Sequence, residues 1–361
     1  MSSWGNEIKI SVFGESHGKG IGVVIDGLPA GVKLDTEKIY LQMARRAPGK
    51  DKTATPRLEK DIPEILSGVL NDTTTGAPLC AVISNTNTRS GDYGNILSCP
   101  RPGHADYTGN IRYSGFNDIS GGGHFSGRLT APIVFAGAVC RQILENKGIG
   151  IAAHIASIGD IKDQPFDPVS IPDELRERLN KSAFALVDPS KEEQMRERVE
   201  ECRKSLDSIG GTVECAITGM PAGVGSPMFY GIEGVISSIV FGIPAVKGIE
   251  FGAGFRASEM RGSENNDEFY YDGDTVRTRT NNHGGILGGI SSGMPIIFRA
   301  AIKPTPSISR EQNTVDLTLK KDAKLEIHGR HDPCIVPRAV PVIEAAAAIA
   351  AVNLLAEVEK L

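Results

Sequence analysis

One short string occurs twice in this chain, and the repeat constrains the fold more than any other feature of the sequence. IDGLPAGV at 25–32 returns as ITGMPAGV at 217–224, each time after a run of strand-forming residues. Two copies are too few for a solenoid, because a solenoid buries its core only by stacking several repeats. The repeat therefore favours two related βαβ arrangements in one chain, although two independent Gly-Pro-Gly turns would give the same string.

Hydrophobic periodicity predicts an α+β fold for this chain. Strands are indicated by alternating or short apolar runs, which lie at 7–13, 22–26, 79–84, 213–218, 248–251 and 295–302. Helices are indicated by longer runs, which lie at 36–46, 129–146, 191–208 and 339–359. A segment rich in Pro, Asp and Ser at 160–189 is the predicted connection between the halves. At 361 residues, either two domains or one large unit would fit.

Composition argues against several classes of function. The first residues lack the basic region and apolar run of a secretory signal, and no uncharged apolar window of 18 residues indicates a membrane span. Six scattered cysteines without a CxxC pair predict reduced thiols in a cytoplasmic protein. A net charge of −5 argues against a nucleic-acid binder, and the lack of HExxH or clustered cysteines argues against a bound metal.

Glycine is the residue in excess, and it accompanies histidine along the chain. The 42 glycines are well above the average usage of about 7%. Six of the seven histidines lie within two residues of a glycine, namely His17, His104, His124, His283, His328 and His331. Glycine lets backbone N–H groups approach a ligand closely, and histidine moves protons near neutral pH. These loops favour a site for an anionic substrate, although each histidine would also fit an ordinary turn.

The densest set of reactive side chains lies at 101–131, which we expect to be mostly loop. It carries arginines, two histidines and a Gly-Gly-Gly run just before a predicted helix start. The N–H groups of such a run can bind phosphate. The run matches neither the P-loop string nor GxGxxG, so the pattern alone is a weak phosphate signal. A Ser-His-Asp triad could be assembled from the same residue types, but no GxSxG turn is present.

Two later segments add side chains of the kind that bind phosphate or carboxylate. They are KPTPS at 303–307 and GRHDPC at 329–334. Asp332 precedes a proline, which favours an extended backbone and a fixed carboxylate. From the residues alone, the chain is predicted to be a cytoplasmic α+β enzyme whose glycine-lined site holds arginines and histidines around an anion.

These motifs resemble those of the chorismate synthase family, in the same order along the chain. The matching strings are GESHG at 14–18, GHADYT at 103–108, GGGHFSGRLTA at 121–131, AVKGIEFG at 245–252, NHGGILGGISSG at 282–293, KPTPS at 303–307 and GRHDPCIVPRAVP at 329–341. The similarity runs from about residue 8 to the C-terminus, so chance is a poor explanation for it.

The resemblance implies a defined reaction. The family removes phosphate from 5-enolpyruvylshikimate 3-phosphate by 1,4-anti elimination and gives chorismate, the last common step of the shikimate pathway to aromatic amino acids. The reaction needs reduced FMN, yet it has no net redox change. The partner implied is this small-molecule substrate, with no nucleic acid and no membrane.

The resemblance also implies the architecture. The fold expected is α+β, a β-α-β sandwich of two pseudo-symmetric halves. A single domain would span 1–361, with the halves at about 8–160 and 205–361. The assembly implied is a homotetramer.

Catalytic roles follow from the motif positions, as the resemblance implies them. His17 would hydrogen-bond the reduced flavin and protonate it, and His104 would protonate the leaving phosphate. Asp332 would help the flavin nitrogen take the C6 proton. Ser16 and Ser126 match serines placed near these groups.

Binding residues of three kinds are implied in the same way. FMN contacts are expected at His124, Phe125, Ser126, Pro244, Ala245, Gly288, Lys303, Pro304, Thr305, Pro306, Ser307 and Arg330. The substrate's phosphate and two carboxylates are expected to meet Arg46, Arg112, Arg128 and Arg338. Arg46 and Lys52 match positions that are associated with NADPH in relatives.

Two features of the sequence bear on the cofactors. HFS at 124–126 replaces the Arg-Ser-Ser of many bacterial members, which removes a guanidinium from the expected FMN site. No Rossmann fingerprint is present, so we expect NADPH to act only through a separate flavin reductase. Two other functions stay open on the sequence: a flavin-dependent oxidoreductase with net NAD(P)H consumption, and a non-enzymatic module that binds nucleotides or anions.

Overall fold

The computed structural model describes residues 2–48, 61–86, 98–327 and 332–358. In chain order, the strands of these ranges are β1 (Ser3–Trp4), β2 (Lys9–Gly14), β3 (Gly20–Asp26), β4 (Pro63–Ser67), β5 (Val69–Leu70), β6 (Thr73–Thr74), β7 (Leu79–Ser84), β8 (Gly150–Ile158), β9 (Ile161–Lys162), β10 (Gly211–Thr218), β11 (Val246–Phe251), β12 (Phe269–Asp272), β13 (Thr275–Thr278), β14 (Ile286–Leu287), β15 (Ile290–Ser291), β16 (Ile296–Ile302), β17 (Gln312–Asp316) and β18 (Lys321–Leu325). The α-helices are α1 (Thr36–Arg46), α2 (Asp106–Arg112), α3 (Thr130–Glu145), α4 (Asp173–Lys181), α5 (Glu192–Lys204), α6 (Ile232–Val240), α7 (Gly262–Asn265) and α8 (Val336–Val358). The predicted strands and helices are all confirmed, with ends that shift by a few residues.

Two five-stranded antiparallel sheets hold the longer strands, and their strand orders correspond. The first has the order β1-β2-β3-β7-β4, and the second, taken from its opposite edge, has β9-β8-β10-β16-β11. The central strands β3 and β10 are each followed by one copy of the repeated string. α1 and α6 come next, and α3 and α8 follow β7 and β16. The repeat in the sequence therefore corresponds to two halves whose four inner-to-edge strands from β2 and β8 onward come in the same order, although β9 follows β8 whereas β1 precedes β2.

β8 lies close to the predicted boundary between the halves. The predicted first half, 8–160, includes β8, but β8 pairs with β10 along its whole length and belongs to the second sheet. Its sequence, GIAAHIASI, is buried at nearly every position. A continuous apolar run of this kind has no period-two signal, so the pattern does not reveal a strand.

The segment 160–189, predicted as a connection, contains β9 and α4 and packs onto the second sheet. It is fixed there by His154 of β8, which is completely buried. The ring contacts Asp163 Oδ2 through Nδ1 at 2.7 Å and Glu214 Oε2 through Nε2 at 3.0 Å. Although burial alone would lower it, these carboxylates raise the pKa of His154 above its ordinary value. Both ring nitrogens thus face carboxylate oxygens, an arrangement that favours the doubly protonated imidazolium.

The helices α3 and α8 form the layer between the two sheets. α3 contacts β2, β3 and β7, α8 contacts β8, β10 and β16, and the two helices pack against each other. Their close approach depends on Gly137, since a Cβ there would overlap Ala345 of α8. Of the helices in the described ranges, α8 alone is long and apolar enough to cross a membrane, but nearly all of it is buried in this layer. It is thus placed as a core helix.

A buried ion cluster lies where α1, α3 and α8 meet β8. Glu344, whose side chain is 2% exposed, accepts hydrogen bonds from Arg45 Nη1 at 2.5 Å and from the backbone N–H of Ala153 at 3.0 Å. Arg141 Nη1 lies 3.6 Å from the same carboxylate. The two guanidiniums and the backbone donor compensate the charge that burial would otherwise leave unpaired.

Candidate functional site

A large cavity lies between the two halves. Its volume is about 1030 Å³, at the upper end of the range for small-molecule sites. The first half supplies its wall from β1, β2, the loops before α3 and α3 itself. The second half supplies α6, β11, the loop after β16 and α8. Because both halves contribute, the wall forms only when both are folded.

Most of the residues predicted for the site line this cavity. They are Ser16, Arg46, His104, His124, Phe125, Ser126, Arg128, Pro244, Ala245, Lys303, Thr305, Pro306, Ser307, Asp332 and Arg338. Lys52 and Arg330, predicted for NADPH and FMN, lie outside the described residues.

Four predicted site residues do not line the cavity. Arg112 is exposed at the end of α2, a helix within the stretch that the sequence predicts to be mostly loop. Gly288 forms the turn between β14 and β15, where a Cβ would meet nothing within 4 Å. Pro304 is exposed, and His17 is half-buried beside Gly121 without lining the cavity. The structure therefore does not bring Arg112 or Gly288 to this cavity.

Two of three consecutive glycines lie against the candidate catalytic histidines. Gly121, Gly122 and Gly123 have φ angles of +61°, +87° and +53°, in the left-handed region that residues with a Cβ rarely adopt. A Cβ on Gly121 would overlap the ring of His17, and one on Gly122 would lie 3.1 Å from His104 Nε2. Only a glycine turn leaves room for both rings at this place.

The loop that carries Ser16 is hydrogen-bonded to this turn. The Ser16 N–H donates to Gly123 O at 3.1 Å, and His124 Nδ1 donates to Gly14 O at 2.9 Å. His124 Nε2 then accepts from the hydroxyl of Ser2 at 2.6 Å. Both ring nitrogens of His124 are used within the protein, so this histidine supports the wall and offers no nitrogen to a ligand.

His104 is oriented by a buried carboxylate. Its Nδ1 donates to Asp106 Oδ1 at 2.6 Å, while Arg101 binds the same carboxylate through Nε and Nη2, both at 2.7 Å. Burial alone would raise the pKa of the Asp106 carboxyl, but hydrogen bonds from Arg101 and His104 hold this pKa well below its usual range. Asp106 stays anionic, which fixes the tautomer of His104 and leaves Nε2 as the nitrogen beside Gly122 on the wall.

Three arginines lie together on the cavity wall. Arg46 Nη1 donates to Asp61 Oδ2 at 2.7 Å, and Arg128 Nη1 donates to Asp61 Oδ1. Arg338 donates through Nε to the backbone O of Arg46 at 3.0 Å and through Nη1 to Asp332. Burial, assisted by the other two guanidiniums, lowers the pKa of Arg46 to about 10. Arg46 therefore keeps its charge at neutral pH.

The cavity is cationic although the chain as a whole carries a net charge of −5. Among the residues that the structure describes, the wall contains one carboxylate, that of Asp332, and six cations, which are Arg46, Arg101, Arg128, Lys247, Lys303 and Arg338. With Asp61 and Asp106 behind the wall, three positive charges remain in excess among the described residues. Such an excess attracts polyanionic ligands. Within the described ranges, no group of His, Cys, Asp and Glu side chains is arranged to hold a metal ion.

Apolar side chains supply much of the remaining wall. They include Trp4, Ile10, Val12, Ile133, Ile239 and Val342. The indole N–H of Trp4 donates to Ser238 Oγ of α6 at 2.7 Å, which joins the N-terminal strand to the second half. On the polar side, the buried hydroxyl of Thr305 has no hydrogen-bond partner among the described residues. A buried polar atom of this kind is suited to contact a bound ligand.

Sequence reasoning assigns no role to four residues that shape the site: Trp4, Asp61, Asn85 and Asp106. Asp106 lies two positions after His104, and this spacing could have suggested their pairing. Asp61 and Asn85 give no such signal, because their arginine partners are distant in the chain. Nothing near Trp4 in the sequence links it to the motifs.

Comparisons with known proteins agree on one family. The family model described as chorismate synthase matches residues 8–356 of this chain. A chorismate synthase from Dehalococcoides mccartyi is 47% identical over 355 residues, covering 98% of this chain and 96% of the relative. One from Thermococcus gammatolerans is 47% identical over 342 residues, covering 94% of each chain. A crystal structure of chorismate synthase matches with a TM-score of 0.78 and 30% identity, over 98% of this chain and 93% of that chain.

Proposed function

Since this chain belongs to the chorismate synthase family, we propose that the cavity between its halves is where the family's reaction takes place. That reaction is the 1,4-anti elimination of phosphate from 5-enolpyruvylshikimate 3-phosphate to give chorismate. The chain is accordingly a lyase of aromatic amino acid biosynthesis. The observation that carries the placement is the His104–Asp106 pair on the wall of a cavity with excess positive charge.

The arginines of the wall suit the charges of the substrate. The substrate carries one phosphate and two carboxylates, or about four negative charges near neutral pH. Guanidinium groups bind such oxygens with paired N–H donors. We assign these contacts to Arg46, Arg128 and Arg338. Arg112 is left out, because it is exposed on α2 and does not line the cavity.

His104 is assigned to protonate the leaving phosphate. Its Nδ1 donates to Asp106, which fixes the orientation of the ring. Protonation helps a phosphate to leave, because less negative charge develops on its oxygens. His17, whose ring lies beside Gly121, is assigned to the flavin, and the neighbouring Ser16 is the polar group that lines the cavity.

Asp332 and Ser126 complete the groups assigned to proton handling. Arg338 Nη1 donates to Asp332 Oδ2, so the carboxylate is fixed on the wall, and we assign it to help remove the C6 proton. Ser126 Oγ accepts the N–H of Arg128 at 3.3 Å. These roles rest on the family motifs, and the location of both side chains on the wall supports them.

The family depends on a reduced flavin, and we propose reduced FMN for this chain. The fit rests on the buried Thr305 hydroxyl, which lacks a partner among the described residues, and on the apolar wall beside Trp4. The chemistry supplied by bound FMN is transient donation of electron density to the substrate, without net oxidation. Contacts are proposed for Phe125, Ser126, Pro244, Ala245, Lys303, Thr305, Pro306 and Ser307, all on the wall.

We further propose a homotetramer in the cytoplasm. Met228, Phe229 and Tyr230 form an exposed apolar turn of the kind that subunit contacts cover. All six cysteines are free thiols, which suits a reducing compartment. NADPH is proposed to act only through a separate flavin reductase, and neither nucleic acid nor a membrane is proposed as a partner.

The deciding experiment measures phosphate release from 5-enolpyruvylshikimate 3-phosphate, under anaerobic conditions with chemically reduced FMN. We expect equal amounts of chorismate and phosphate, with no net oxidation of the flavin. Net NAD(P)H consumption would favour the flavin-dependent oxidoreductase, and ligand binding without turnover would favour a binding module. The relatives described above support neither alternative. Absence of release by the folded wild type would refute the assignment.

A further inference from the structure

Asp61 is a buried carboxylate that no motif singles out. Its side chain is 0% exposed, and it does not line the cavity. Its Oδ2 accepts from Arg46 Nη1 at 2.7 Å, and its Oδ1 accepts from Arg128 Nη1. One carboxylate therefore joins two arginines that both line the cavity.

Further donors of both arginines are held as well. Arg46 Nε donates to Thr130 Oγ1 at 3.0 Å, and its Nη2 donates to Gly127 O at 2.8 Å. Arg128 Nε donates to Asn85 Oδ1 at 2.9 Å. Each guanidinium is thus fixed by at least two contacts in different directions, which leaves it little freedom to rotate.

Asn85 connects the same cluster to the loop at 14–18. Its Nδ2 donates to the backbone O of Glu15 at 3.0 Å and to that of Gly18 at 2.9 Å, while its Oδ1 accepts from Arg128. An amide suits this place, because it supplies two donors and an acceptor at once. One side chain therefore holds both Arg128 and the loop that carries two of the proposed catalytic residues.

We propose that Asp61 and Asn85 are positioning residues, which fix the guanidiniums of Arg46 and Arg128 in the orientation that meets the anionic groups of the substrate. The inference rests on the proposed function, since it is the substrate that these arginines would bind. Neither Asp61 nor Asn85 touches the substrate, because neither lines the cavity.

The negative charge of Asp61 distinguishes a positioning role from simple electrostatic attraction of the substrate. Asp61 cancels one positive charge near the site, so attraction alone would be stronger without it. Burial alone would raise the pKa of the Asp61 carboxyl, but Arg46 and Arg128 lower this pKa, so Asp61 remains an anion. A group that weakens the attraction for the substrate must contribute in another way, and the bonds of Asp61 indicate orientation.

The first variant is Asp61→Asn, which keeps the shape of the side chain and removes its charge. Asparagine also tolerates the left-handed backbone of residue 61, whose φ is +47°. Two quantities are measured: kcat/KM for the substrate, and the Kd of inorganic phosphate by calorimetry. We expect kcat/KM to fall about 10–100-fold, as for a misplaced binding group. The Kd of phosphate should stay equal or decrease up to about fivefold, because a negative charge has been removed.

The second variant, Asn85→Ala, tests positioning without a change of charge. It removes the contact to Arg128 Nε and the two contacts to the loop at 14–18. We expect kcat/KM to fall about tenfold, with the Kd of phosphate unchanged. If Asp61→Asn does not fold, Asn85→Ala decides the question by the same two measurements.

Glu344→Gln is the matched control. Glu344 is also a buried carboxylate between two arginines, Arg45 and Arg141, but none of these three residues lines the cavity. We expect this variant to lower the urea midpoint at least as much as Asp61→Asn, while kcat/KM stays within about threefold of wild type.

Two results would overturn the inference. One is a folded Asp61→Asn variant with wild-type kcat/KM. The other is a loss of kcat/KM in both Asp61→Asn and Glu344→Gln that is proportional to the loss of stability in each variant. The proposed function would be refuted by a different result, the absence of turnover in the wild type. In that case the Kd of phosphate in the variants still reports on the arginine cluster.

Discussion

Gly137 in α3 allows a prediction whose sign depends on tertiary packing. Replacing a glycine inside an isolated helix by alanine is stabilising by about 0.8–1.0 kcal/mol. In this protein a Cβ on Gly137 would overlap Cα and Cβ of Ala345 in α8 and lie 2.9 Å from its carbonyl carbon. Carbon atoms in contact are ordinarily about 3.5–4.0 Å apart. The added methyl group therefore forces α3 and α8 to separate or distort.

The size of the effect follows from these two opposing contributions. Overpacking a close-packed core costs about 1–3 kcal/mol, and an overlap with backbone atoms, which cannot rotate away, corresponds to the upper end. After the gain in helix propensity, a net loss of about 2 kcal/mol in the free energy of unfolding remains for Gly137→Ala.

The assay is urea unfolding followed by far-ultraviolet circular dichroism at one fixed protein concentration. The midpoint should fall for Gly137→Ala while the m-value stays unchanged. Gly262→Ala in α7 is the control, because a Cβ there meets nothing within 4 Å. We expect the control to change the free energy of unfolding by less than about 0.5 kcal/mol.

A double variant sharpens the test. Adding Ala345→Gly removes one of the overlapping atoms, but the Cα of residue 345 still overlaps the new methyl group. The double variant should therefore recover little of the lost stability. Wild-type or higher stability of Gly137→Ala, or full recovery in the double variant, would refute the reasoning.

Three further measurements test the site and the core. His104→Ala should lower kcat/KM by about 10²–10³ and His17→Ala by only about tenfold, because His104 lines the cavity and His17 does not; the opposite order in phosphate-release assays would contradict this. Because its pKa is raised, His154 stabilises the fold fully below about pH 6.5 and less as the pH rises through the folded value. The wild type should therefore have a higher urea midpoint than His154→Gln, and this difference should decrease as the pH rises above about 6.5. A difference that does not depend on pH would count against the ion contacts of His154. FMN should quench the emission of Trp4, the single tryptophan, and Trp4→Ala should weaken FMN binding about tenfold while Trp4→Phe retains it; wild-type affinity of Trp4→Ala would exclude the contact.

The elements that the sequence predicts correctly are those whose signals are local. Asp35 accepts the N–H groups of Glu37 and Lys38 at the start of α1, as its position before an amphipathic run indicates. The repeated strings at 25–32 and 217–224 follow the central strands of the two sheets. β8 could not be predicted in the same way, because a strand buried on both faces shows no alternation.

The residues of the candidate site show the same distinction between local signals in the sequence and contacts that only the fold creates. Residues inside the family motifs, such as His104 and Arg128, are found by similarity and do line the cavity. Similarity also selects Arg112 and Gly288, which lie off the wall, because a motif position does not specify which side chains face a cavity in this chain. Asp61 is found only in three dimensions, since folding alone brings it to Arg46 and Arg128.

The carboxylates of the site are best understood through the charges that they remove. Asp61, Asp106 and Asp332 are each hydrogen-bonded to an arginine of the wall, and together they offset half of the six positive charges that the described part of the chain places on the cavity wall. A site selected only for attraction would lack them. Arginines packed this closely repel each other, and a carboxylate that accepts from each one fixes its orientation. The carboxylates therefore weaken the attraction for an anion and in return hold the guanidiniums in defined positions. A cavity of this kind should distinguish poorly among small anions and well among ligands whose anionic groups match the fixed arginines, since only a matched ligand meets several of them at once.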